Sequence, residues 1–94
     1  MIRGFRNEDT RRFWETGKSR RIPPPSLRRA TLRKLLTLDS AARLEDLRVP
    51  PDNRLEALKG DRAGQHSIRI NDQFRICFVW RDGNAYDVEV VDYH

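Results

Sequence analysis

The sequence holds one cysteine, Cys77, which excludes an intrachain disulfide and a cysteine-built metal cluster. No apolar run approaches the roughly 20 residues needed to cross a bilayer, so no membrane association is expected. The opening residues MIRGFRNEDT lack the apolar centre of a signal peptide, and a reduced cytoplasmic setting is expected. There is no Gly-rich phosphate loop and no pair of histidines four residues apart, and the Ser and Cys candidates have no base cue beside them. Repeats, linkers and low-complexity tracts are missing too, so residues 1–94 read as one small domain. Lysine is scarce: sixteen of the nineteen basic residues are arginine, set against fourteen acidic ones for a net charge of +5. Solubility alone does not call for that bias. The planar guanidinium fork grips phosphate oxygens in pairs and stacks on bases. A polyanionic partner is therefore expected, against the plainer alternative of a basic protein paired with an acidic one.

What is present centres on Gln65–Trp80, QHSIRINDQFRICFVW. Ile68 and Ile70 alternate with polar residues in a first arm, and Phe74, Ile76, Phe78 and Trp80 alternate with Arg75, Cys77, Val79 and Arg81 in a second. This is the period of a half-buried strand. Asn71-Asp72-Gln73 supplies the turn. One face is apolar, and the other presents Arg69 and Arg75.

Upstream, Met1–Arg6 reads as a short first strand. Asn7 is placed to cap a helix that runs to Thr16, with Glu8 and Asp9 in its first turn and Gly17 as its stop. Phe13, with Trp14, is its core side. Lys18–Arg21 is a basic loop, either solvated or in contact with phosphate or a partner. Pro23-Pro24-Pro25-Ser26 opens a second helix, whose stripe of Leu27, Ala30, Thr31, Leu35 and Leu38 is widened by Leu32 and Leu36. Arg28, Arg29, Arg33 and Lys34 are expected on its solvated face. Leu44 and Leu47 form an apolar turn, and Val49–Asn53 is a loop. Leu55–Leu58 reads as a short strand and Lys59–Gly64 as its exit turn. Asp82-Gly83 turns the chain into a last strand, Ala85–Tyr93, with Tyr86, Val88 and Val90 in phase. The expected fold is α+β: a small, mainly antiparallel sheet with both helices on one face and the other face open.

That topology gathers Glu56, Lys59, Arg75 and the terminal Asp92-Tyr93-His94. The set suits RNA cleavage by the RNA's own 2′-hydroxyl. Such a reaction needs a base for that hydroxyl, cations for the charge on phosphorus and an acid for the departing 5′-oxygen, with no metal or other cofactor. His94 titrates nearest neutrality, and Asp92 favours its charged form. Tyr93 either stacks on a base or donates a proton. Plainer readings stand beside these. Arg75 pairs with Asp87 or Glu89, Lys59 is an ordinary turn lysine, and His94 is a solvated end. Strict alternation also sets Tyr93 on the face opposite Asp92 and His94.

The runs RLEALKGDRAG and SIRINDQFRICFVW and the closing VVDYH resemble the HigB-type killer toxins of bacterial toxin–antitoxin modules, in the RelE-like superfamily. The likeness covers nearly the whole chain. It implies a RelE-like fold in β-α-α-β-β-β order and an endoribonuclease that cuts mRNA in the ribosomal decoding site. It also implies a HigA-like helix-turn-helix antitoxin, through which the complex binds operator DNA. By position, Lys59 and Arg75 match residues that contact the scissile phosphate, and Asp92, Tyr93 and His94 match the catalytic trio. Gln73 falls where some members carry Asn, and Arg62, Arg69 and Gln73 are expected to contact RNA. Some members have His where this chain has Glu56. A carboxylate there serves as a base but brings no cation, so base identity stays open among Glu56, Asp92 and His94. Two other functions remain in view: a non-enzymatic ParE-like gyrase inhibitor, and a ribosome- or RNA-binding module.

Overall fold

The computed structural model describes residues 1–93. Asn7 starts helix α1, Glu8–Thr16, by accepting the amide of Thr10 on its side-chain oxygen at 2.8 Å. Gly17 ends the helix at φ 75, where its amide returns to the Phe13 carbonyl. Only glycine enters that region without steric cost. A 3-10 turn over Pro25–Leu27 leads into α2, Arg28–Ser40. Further 3-10 turns cover Leu44–Arg48, Pro51–Asn53 and Gly60–Arg62.

The sheet has four antiparallel strands in sequence order: β1 Glu56–Ala57, β2 His66–Arg69, β3 Phe74–Arg81 and β4 Asn84–Asp92. Its register sets Ser67 opposite Cys77 and Arg69 opposite Arg75. Ile68, Ile76, Phe78 and Val88 bury one sheet face against Phe13 of α1, Leu35 and Leu38 of α2, and Leu47. Fully burying each such side chain contributes about 1.5–3 kcal/mol. Both helices lie on that face, as the alternation of β3 required. The expected first strand is a lighter contact. Ile2 and Phe5 form two parallel bridges to Ala85 and Val88, and no longer ladder.

Three expectations change. Asp87 takes φ 51 at a register shift between Cys77 and Val79, so β4 carries an extra residue opposite Phe78. Ala85, Val88 and Val90 therefore face the core, and Tyr86 turns outward beneath the Arg81 guanidinium, 4.3 Å from its ring centroid. Leu36 does not widen the helical stripe and is 52% exposed. Lys34, expected in solvent, is buried. Its ammonium donates to Asn53 Oδ1 and lies 3.6 Å from Asp52.

Asn53 is wholly buried, and its amide also donates to the carbonyls of Leu47 and Val49, each at 3.2 Å. One side chain thus ties the 44–53 segment to α2. Asn53→Ala leaves Lys34 without its nearest buried acceptor and strands two carbonyls. The expected loss is about 2–3 kcal/mol in urea unfolding. A loss no greater than that of an ordinary surface substitution would show that Asn53 does not hold this segment.

Candidate active site

On the uncovered sheet face two shallow recesses adjoin. One, of about 370 Å³, is lined by Glu56, Ala57, Leu58, Lys59, Arg62 and Tyr93. The other, of about 340 Å³, is lined by Arg54, Glu56, Arg69, Asn71, Asp72, Arg75 and Tyr93. Glu56 and Tyr93 belong to both. The sheet register explains the grouping. Glu56 pairs with Ser67, Ser67 with Cys77, and Cys77 with Glu89, a row of same-face residues across four strands. Arg75 and Tyr93 share that face at odd positions of β3 and just past β4.

Arg75 is held rather than paired off. Its Nε donates to Ser67 Oγ at 2.7 Å, and one terminal nitrogen donates to the Arg54 carbonyl at 2.7 Å. Ser67 is fully buried, and Arg54 sits at φ 45, so both acceptors are fixed. The expected carboxylate partners of Arg75 are engaged or turned away. Glu89 takes Arg62 at 3.2 Å and Arg6 at 3.6 Å, and Asp87 lies at the bulge. Arg75 therefore keeps its positive charge uncompensated by any ion pair among the described residues, with its guanidinium 6.0 Å from the Tyr93 ring centroid. Lys59 is exposed at the lip of its recess just before Gly60, whose φ of 64 turns the chain away.

Other candidates are placed less freely. Arg62 is shared between Gln65 and Glu89. Arg69 donates to Asp72 at 2.5 Å, and that contact holds the Asp72 carboxyl below its usual range. Gln73 and Asp92 meet at the rim, where the Gln73 amide donates to Asp92 at 3.0 Å and the Gln73 carbonyl accepts the Tyr93 amide at 2.7 Å. Asp92 pairs with core-side Phe74 in the register, so it lies beside the recesses rather than lining them. His94 falls outside the described residues. Among those residues no group of three His, Cys, Asp or Glu is arranged to hold a metal ion.

Sequence reasoning missed three contributors. Ser67 and the Arg54 carbonyl fix Arg75, and Cys77, wholly buried, lies near enough to Tyr93 to influence its hydroxyl. The Ser67 signal was readable, since a small hydroxyl stands one cross-strand step from Arg75 on the same face. The Arg54 carbonyl was not, because a backbone acceptor leaves no residue-type signature.

The chain matches, along its full length and 98% of theirs, chains in two solved structures of the YoeB-YefM toxin–antitoxin complex of Staphylococcus aureus, with TM-scores of 0.61 and 0.60 at 15% and 17% identity. The chain therefore shares the fold of those chains. The sequence family described as "RelE-like toxin of type II toxin-antitoxin system HigB" matches residues 3–94, and the chain belongs to it. It is 44% identical to Toxin HigB-1 of Vibrio cholerae over 85 residues, 90% of each protein. It is 32% identical to Endoribonuclease HigB of Proteus vulgaris over the full length of both.

Tyr93 carries a measurable signature. Burial pushes its hydroxyl above the ordinary tyrosine value of 10.0, and the neighbouring Cys77 adds to this; Arg62 and Arg75 oppose it. The phenol is thus neutral, and able to donate, throughout the neutral and mildly alkaline range. Ultraviolet titration of the folded protein should show a phenolate component that ionises only above pH 10 and is lost in Tyr93→Phe. If Tyr93→Phe removes only a component ionising at or below pH 10, the phenol is not desolvated as described.

Proposed function

We propose that this toxin is an endoribonuclease that cuts mRNA in the decoding site of the translating ribosome and so stops translation. The supporting observation is the convergence of Glu56, Lys59, Arg75 and Tyr93 on two joined recesses, with Arg75 fixed but unpaired. The name of the Proteus vulgaris relative, an endoribonuclease, agrees with this reading.

The reaction is an in-line attack of the 2′-hydroxyl on the adjacent phosphorus. The 2′-oxygen bond to phosphorus forms as the 5′-oxygen bond breaks, leaving a 2′,3′-cyclic phosphate and a 5′-hydroxyl. Glu56 is the best-placed base. It is exposed, it lines both recesses, and Asp92 is occupied at the rim by Gln73. Arg75 and Lys59 offset the charge that grows on the phosphoryl oxygens. His94, or the neutral Tyr93 phenol, returns a proton to the departing oxygen. The side chains supply all of these roles, and no cofactor enters the scheme. Arg69, Gln73 and Arg62 contact the flanking backbone, and Tyr93, 44% exposed, stacks on a base.

An open face of this depth grips RNA on one side only and imposes little geometry on it. The ribosome supplies the in-line alignment, an effect large enough to separate efficient from negligible cleavage. The partner that silences the toxin is a HigA-like helix-turn-helix antitoxin, which carries the complex to operator DNA. The working compartment is the cytoplasm, where message is translated.

Brief induction followed by transcript 5′-end mapping tests this reading. Wild type should give cuts in phase with codons inside translated regions. Arg75→Ala, Lys59→Ala and His94→Ala should each lower cutting by about 10²–10⁴ while still binding antitoxin. Growth arrest retained in Arg75→Ala and His94→Ala, or arrest without codon-phased cuts, would move the target to gyrase or to ribosome binding without cleavage.

A further inference from the structure

The recesses are not the only concentration of positive charge on this protein. Between Gly17 and Leu38 stand Lys18, Arg20, Arg21, Arg28, Arg29, Arg33 and Lys34, with no acidic residue among them. The rest of the chain holds the other twelve basic residues against all fourteen acidic ones, so its balance is slightly negative. That segment, the loop after α1 and the first turns of α2, thus carries more positive charge than the chain as a whole. These elements belong to the helical layer, on the side of the sheet opposite the recesses.

Local contacts shape this segment into a surface. Arg28 donates through Nε to Ser19 Oγ at 3.2 Å and through a terminal nitrogen to the Ser19 carbonyl at 3.0 Å, which pins the loop to the start of α2. Arg12, Thr16, Lys18, Ser19 and Arg20 enclose an open recess of about 270 Å³. Arg12, Lys18, Arg20, Arg21, Arg29 and Arg33 are exposed, and none is in an ion pair among the described residues. Elsewhere the exposed charges are partly matched, as in Arg11 with Glu8 and Glu15. Five of these like charges fall within Gly17–Leu38 and Arg12 shares a recess with Lys18 and Arg20; left unmatched they repel one another, a cost that a polyanion removes.

We infer that this helical surface is a second RNA-binding site that grips the phosphate backbone of base-paired RNA, while the recesses take a single strand. The chemistry separates the two. Of the aromatic residues nearest the basic surface, Phe13 is buried and Trp14 is half-buried against the core, so neither offers a free face on which to stack a base. Base-paired RNA hides its bases and presents backbone. The recess face, by contrast, exposes Tyr93. A folded protein partner is the weaker fit. Stable protein interfaces bury an apolar or aromatic centre, and the exposed side chains of the loop and of the first turns of α2 are mainly cationic. The inference deepens the RNA reading above and rests on it only for the kind of polyanion bound.

Binding separates this inference from cleavage. In full-length Arg75→Ala protein, two further sets are introduced: Arg12→Gln with Lys18→Gln and Arg20→Gln, and Arg29→Gln with Arg33→Gln. Affinity is measured from low to moderate salt for an RNA duplex of about 16 base pairs, for a single-stranded RNA and for the purified antitoxin. Each set should weaken duplex binding about tenfold or more and flatten its logarithmic salt dependence by about one per removed charge. Single-strand binding should change far less, and circular dichroism should stay unaltered because the replaced side chains are exposed. Unchanged duplex affinity, equal loss for both RNAs, or loss confined to the antitoxin would each overturn the inference. None of these readouts requires the protein to cut RNA.

Discussion

Asn53 is a small amide with no solvent around it, yet the geometry of the recesses leads back to it. Its three hydrogen bonds, to the Lys34 ammonium and to the Leu47 and Val49 carbonyls, fix a segment that is neither helix nor strand. The next residue, Arg54, is thereby held at a left-handed φ, and its carbonyl is the acceptor that orients Arg75. Rigidity matters for the role proposed for Arg75, because each freely rotating bond dilutes the productive geometry. Here the rigidity is inherited. Core packing fixes α2, α2 fixes Asn53, and Asn53 fixes the acceptor.

The second constraint is the register of β3 with β4. Without the extra residue at Asp87, the two ends of β4 would keep one phase, and Tyr86 would face the core with Val88 and Val90. The bulge lets Ala85, Val88 and Val90 all reach the core while Glu89 and Tyr93 reach the open face. One left-handed residue thus serves two faces with different demands. It also gives Glu89 its position as the anchor for Arg62 and Arg6, which leaves Arg75 without a carboxylate to neutralise it.

Much of this architecture was legible because its signals are periodic. The alternation through Phe74–Trp80 located β3 and its core face, and Asn7 and Gly17 marked the ends of α1 as observed. The gathering of Glu56, Lys59, Arg75 and Tyr93 followed from strand order alone. What failed has a common cause. Lys34 was assigned to solvent because charged residues off a leucine stripe usually are, and its buried acceptor lies nineteen residues away. The phase break at Asp87 is invisible to a count of alternating residues, since aspartate adopts a left-handed φ without announcing it. Backbone acceptors such as the Arg54 carbonyl have no letter in the sequence.

The opening residues make their parallel bridges to β4, joining Ile2 to Ala85 and Phe5 to Val88. Those partners lie more than eighty residues apart in the chain. During synthesis the N-terminal segment therefore emerges long before the strand it must meet, and it waits unpaired. The recess wall that Tyr93 completes comes from that same late strand. Sheet closure and site assembly are consequently one event, and neither precedes synthesis of β4. A chain that has not yet reached β4 has neither the closed sheet nor the finished recess, so the toxin stays without its site for most of its own synthesis.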